Sequence, residues 1–148
     1  MADDEQVIRL VAELEAAGAQ LSLALFEIAL ISSHASQDIS EIAKEFLTLS
    51  CNLTHLFDSL KENKDLCRPA LFESTRLILA KFQDVAEKLR DAIGGRRRLE
   101  SLISYFKNPS TKAYFKQIES IQSAVTLVLH IILLAREENS NPCVFISR

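Results

Sequence analysis

At 148 residues the chain has the length of one domain, and with 48% hydrophobic and 25% charged residues it lies far from disordered compositions. Its three glycines and three prolines are too few for the many tight turns of a sandwich, barrel or doubly wound sheet. A net charge of −3 gives no general attraction to nucleic acid or to an anionic membrane, so only a local patch could supply either.

The spacing predicts a first helix over residues 4–32. Val7, Leu10, Leu14, Ala17, Leu21, Ala24, Ile28 and Ile31 step by three and four, and Asp3, Asp4 and Glu5 suit its positive N-terminal end. Gly18 interrupts it at a cost of roughly 1 kcal/mol in propensity, in exchange for a bend or a close helix crossing. After a connection at residues 32–36, Asp38 and Glu41 stand at capping-box spacing. The second stripe is Ile39, Ile42, Phe46, Leu49, Leu53, Leu56 and Leu60, ending in the polar residues 61–65.

Pro69 fits the first turn of a third helix with the stripe Leu71, Ile78, Phe82, Val85 and Leu89, stopped by Gly94 and Gly95. A short helix is expected over residues 99–106. Asn108 and Pro109 then open a last helix with Tyr114, Ile118, Ile121, Val125, Val128, Ile132 and Ala135 inward. A second apolar row widens each face: Val11, Leu25, Leu47, Phe72, Leu79, Ile93, Leu129 and Leu133. Four wide stripes on short loops imply an all-α fold, an antiparallel up-down four-helix bundle with a short extra helix before the last. The expected domain covers residues 1–141, with 142–148 as an extended or disordered tail.

Cys51, Cys67 and Cys143 are odd in number and form no CxxC pair, which fits reduced thiols of a cytoplasmic protein better than a disulfide framework or a zinc site. Cys51, between Leu49 and Leu53, reads as a small buried thiol; Cys67, beside Arg68 and a helix start, is in a setting that can lower a thiol pKa, but no histidine stands at a telling distance and it reads as a spectator cysteine. The acidic N-terminus is unlike a signal peptide, so the sequon Asn52-Leu53-Thr54 reads as coincidence. The apolar run 124–135, which His130 interrupts, is shorter than the ~20 residues of a membrane span, as is 21–31, broken by Glu27.

No glycine-rich phosphate loop is present, and His34, His55 and His130 lack partners at metal-ligand spacing. Carboxylates such as Glu41, Glu45 and Glu87 sit beside lysines and arginines on outward faces. No catalytic residue, cofactor, metal or small-molecule substrate is therefore expected. The one distinctive charge cluster is Arg96, Arg97 and Arg98, with Lys107 and Lys112 further along and Tyr105 and Phe106 between. Basic groups beside exposed aromatics suit anionic lipid headgroups or an acidic partner; the bland alternative is a solvated loop.

The run Ile-Ser-Ser-x-Ala-Ser-x-Asp-Ile-Ser-Glu-Ile-Ala-Lys-Glu (31–45), Leu-Cys-x-Pro (66–69), a basic break and a last helix ending Leu-Leu-Ala-Arg (133–136) follow an amphipathic first helix. This order resembles the fungal N-terminal domain of NLR-like (STAND) proteins, one of the HeLo-like helical domains. The resemblance implies a non-catalytic signalling module of incompatibility or programmed cell death, which associates with itself or a protein partner. The alternative it implies is a membrane-acting effector, binding anionic lipid through the first helix and the Arg96, Arg97 and Arg98 loop, cytoplasmic but peripheral at a membrane. An enzyme or ligand carrier using a cavity between helices is the third reading, and it requires a sizeable pocket with convergent polar groups.

Overall fold

The computed structural model describes residues 2–32, 36–95 and 98–140, and every element among them is helical. In chain order they are α1 (Ala2–Ile31), α2 (Ser36–Glu62), a 3-10 turn (Lys64–Leu66), α3 (Pro69–Gly95), α4 (Leu99–Lys107), α5 (Pro109–Phe115) and α6 (Gln117–Ser140). The expected tail, residues 142–148, lies outside the described residues.

The buried stripe of α1 is offset from the expected one. Val7, Val11, Leu14, Gly18, Leu21 and Leu25 are buried, whereas Leu10, Ala17, Ala24 and Ile28 are half-buried and Ile31 is 69% exposed. Gly18 accounts for the choice between two apolar faces. A Cβ on it would stand 3.3 Å from Cζ of Phe82 and 3.5 Å from Cβ of Ser50, so the missing side chain lets α1 lie close to α2 and α3. Two buried hydroxyls fix the same crossing: Ser22 donates to the carbonyl of Ala43 at 2.8 Å, and Ser50 to that of Glu15 at 2.7 Å.

On α2 the expected stripe is buried apart from half-buried Ile42, with Ala43 added, while Leu47 is 44% exposed. The helix already starts at Ser36, so Asp38 lies inside it instead of capping it, and its carboxylate meets Lys112 at 3.3 Å. Pro69 opens α3 as expected; Phe72, Thr75, Leu79, Phe82, Val85, Ala86, Leu89 and Ala92 are its buried residues, with Leu71 and Ile78 only half-buried. Gly94 and Gly95 are its last residues, and neither takes a left-handed conformation.

Asn108 caps the next segment by accepting from the Ser110 N–H at 2.9 Å, and Pro109 follows at its first turn. The last helix is divided: α5 ends at Phe115, and α6 begins after the single residue Lys116. Ile118, Ile121, Val125, Val128 and Ile132 are buried, Tyr114 and Ala135 are half-buried, and Leu133 is exposed. The core is one cluster drawn from α1, α2, α3 and α6, with Leu102 and Phe106 of α4 and Phe115 of α5 added at one end. There the ring of Phe46 lies 5.7 Å from Phe82 and 6.4 Å from Phe115, and Phe106 lies 6.2 Å from Phe115.

Candidate interaction surfaces

Only part of the basic cluster lies among the described residues. Arg96 and Arg97 lie outside the described residues; Arg98 is exposed in extended backbone just before α4, and Lys107 is exposed at its far end. A nine-residue helix separates these two charges by about 13 Å. Lys112 is engaged with Asp38. The intervening aromatics are not exposed as expected. Phe106 is fully buried, and Tyr105 is half-buried with its ring 5.3 Å from Phe106 and 6.4 Å from Phe115. A nine-residue helix must bury something to hold to the fold, and these rings are what it buries.

The other singled-out residues also moved. Cys51 is exposed on α2, its Sγ directed away from the stripe that Leu49 and Leu53 occupy. Cys67 is half-buried, and burial, with the charge of Asp4 added, pushes its thiol up and not down. His55 and His130 are exposed, and His34 lies outside the described residues. Among the described residues no three His, Cys, Asp or Glu side chains gather as a metal set, and no buried side-chain polar atom lacks a partner.

Three polar links fasten the surface between elements. Gln122 of α6 donates to the Glu45 carboxylate at 2.9 Å and accepts from the Asn52 amide at 3.1 Å, bridging to α2. Tyr114 donates to Asp84 at 2.9 Å with the Lys88 ammonium 4.4 Å from its ring centre. Burial, then the bond to Asp84, pushes the Tyr114 phenol up to about 12. Glu5 and Lys64 pair between the start of α1 and the 3-10 turn, and the ammonium holds that carboxyl below its usual range.

Large exposed apolar residues lie on both long terminal helices among the described residues: Leu23, Leu30 and Ile31 on α1, and four more on α6. Leu127, Ile131 and Leu134, at spacings of four and three, are 60%, 43% and 54% exposed on one face, with Leu133 beside them. The run 124–135, broken only by Thr126 and His130, carries apolar residues beyond the inward stripe, and that excess is the sequence signal for an outward apolar face. Beside Ile131 and Leu134 lies a groove of about 440 Å³ against the start of α3, with Leu66, Cys67, Leu71 and Ala135 also lining it. A second depression, about 350 Å³, has Ile42 and Phe115 within it and the Asp38–Lys112 pair at its rim.

Helix length alters the expectation about membranes. Asp3–Ile31 and Pro109–Ser140 are each long and apolar enough to cross one, with mean hydropathy 1.6 and 1.8 and 33% and 28% of those windows buried. Core helices of soluble proteins pass the same test of length and composition. Comparison with protein-family models, characterised proteins and solved structures finds no match to this chain.

Proposed function

We propose that the chain is a non-catalytic helical interaction module of the signalling type that its resemblance to the fungal N-terminal domain of NLR-like proteins implies, acting in the cytoplasm. The observation that carries it is the outward face of α6. Leu127, Ile131, Leu133 and Leu134 face solvent while Ile118, Ile121, Val125, Val128 and Ile132 fill the core, which leaves more apolar surface outside this helix than a solvated face needs. Such a face is satisfied by a protein partner or by a second copy. Its scaffold is an antiparallel up-down four-helix bundle of α1, α2, α3 and α6. The pairing of Glu5 with Lys64, the Ser22–Ala43 bond and the Tyr114–Asp84 bond support that arrangement, since each joins elements at the level antiparallel neighbours require.

A second function, a membrane-acting effector, is favoured by the two stretches apolar enough to span a bilayer, with Arg98 and Lys107 as headgroup contacts. Co-flotation with neutral and anionic liposomes, with size-exclusion light scattering on the same sample, separates the two. Dimers or larger species without flotation support the interaction module. Flotation with anionic vesicles that high salt abolishes supports the effector and overturns the soluble module. A monodisperse monomer at high concentration that neither floats nor captures a partner overturns both.

A further inference from the structure

We propose that the chain pairs with a second copy of itself through α6, the two helices antiparallel and related by a two-fold axis beside Leu129. This pairing rests on the interaction-module reading and supplies its partner. Along α6, Ser120, Ala124, Leu127, Ile131, Leu134 and Glu138 step by four, three, four, three and four. That is the heptad spacing of a two-stranded coiled coil, and it is a separate row from the one α6 buries in its own core. Leu127, Ile131 and Leu134 at its centre are all exposed. The exposed leucines of α1 make no such row, because Glu27 stands between Leu23 and Leu30. A narrow seam of this kind is covered by another helix carrying the same spacing, and a second α6 carries it.

Charge and side-chain size select the orientation. A parallel pair would set Glu138 against Glu138 and bring the negative ends of both helices together. An antiparallel pair centred on Leu129 matches Leu127 with Ile131 of the second copy, Ala124 with Leu134, and Ser120 with Glu138. Small then faces large at Ala124, and no carboxylate faces another across the seam. Each Glu138 meets a hydroxyl in the opening turn of the opposing α6, at the positive end of that helix. Glu119, the acidic residue of that turn, is directed instead toward α2, where it lines the depression with Ile42 and Phe115. An incoming side chain also needs a hole. The groove of about 440 Å³ beside Ile131 and Leu134, walled by small Ala70, Ser74 and Ala135, gives the opposing Leu127 one. Leu77, three residues beyond Ser74 on the same flank of α3, is exposed and widens the face.

Sedimentation equilibrium of the full chain tests the pairing, with circular dichroism checking that each variant keeps its helices. Leu127→Asp sets a charge in the apolar seam and should weaken the dimer by roughly a hundredfold or more, while Leu30→Asp on α1 leaves it unchanged. Ser120→Lys reads the orientation. In the antiparallel pair the lysine meets Glu138 of the second copy, at two equivalent places, and should tighten the dimer by roughly threefold or more; in a parallel pair lysine meets lysine and the dimer loosens. A chain that stays monomeric at high concentration, a dimer indifferent to Leu127→Asp or equally sensitive to Leu30→Asp, or one loosened by Ser120→Lys would each overturn the pairing. The wider reading fails separately: a dimer held by another face, or a monomer that captures a protein partner through Leu127, removes this pairing and leaves the interaction module standing, whereas a monomer that captures none removes both.

Discussion

The helices α2 and α6 both contribute to the core, yet they treat water differently. On α2, Ile39, Ala43, Phe46, Leu49, Leu53, Leu56 and Leu60 are all essentially inaccessible, and Leu47 is the one large hydrophobic side chain left exposed. On α6 a buried row of similar length coexists with Leu127, Ile131, Leu133 and Leu134 outside. Area removed from water is what stabilises, so α2 contributes most of its large apolar side chains to the fold while α6 leaves four of its own outside. A helix of the first kind is explained by its own chain, whereas one of the second kind has surface left for something else.

The sharpest way to break this contrast is at the centre of α2. Phe46→Ala removes a fully buried ring packed on Phe82 and Phe115 and should cost about 3–5 kcal/mol, seen as a lower urea midpoint at unchanged slope. A loss under about 1 kcal/mol would mean that α2 is not the anchored helix described. Next in size is Gly18→Leu. Its side chain must enter space held by Phe82, Ser50 and the backbone of Phe46, so destabilisation by about 1–3 kcal/mol is expected despite better helix propensity.

The choice of face on α1 shows where sequence inspection reached its limit. Two rows, one through Leu10, Ala17 and Ala24 and one through Val11, Gly18 and Leu25, are similarly apolar, and periodicity alone cannot rank them. What ranks them is shape: the glycine admits the edge of Phe82, information held on α3 and not on α1. The stripe of α2 was legible almost whole because its opposite face is polar. The surroundings of the basic cluster were less legible for the converse reason. Nine residues are too few for periodicity to show that Tyr105 and Phe106 turn inward, or that Arg98 and Lys107 stand at opposite helix ends. The division at Lys116 carries no glycine or proline to announce it.

Smaller effects sharpen the contrast from the side of α6. Leu127→Ser with Leu134→Ser should leave stability within about 0.5 kcal/mol per site and abolish self-association or partner capture, read by denaturation and light scattering together. A large loss of stability would show that these leucines belong to the fold after all. The smallest effect is a pH dependence at Tyr114. Its folded phenol, at about 12, lies above the ordinary 10.0, so its contribution is complete below the ordinary value and is lost as pH rises through about 12. Tyr114→Phe should flatten that alkaline decline in stability, and an unchanged decline would exclude the Asp84 bond as its source.

The link between Asn52 and Gln122 has a consequence for where this chain can be made. Asn52 heads an Asn-Leu-Thr acceptor triplet, but it sits mid-helix, its amide nitrogen turned toward α6 and already donating to Gln122. An oligosaccharide on that nitrogen would replace the bond and wedge between two packed helices. Passed through a glycosylating compartment, the polypeptide would face a race: fold first and hide the triplet, or be decorated first and lose the seam between α2 and α6.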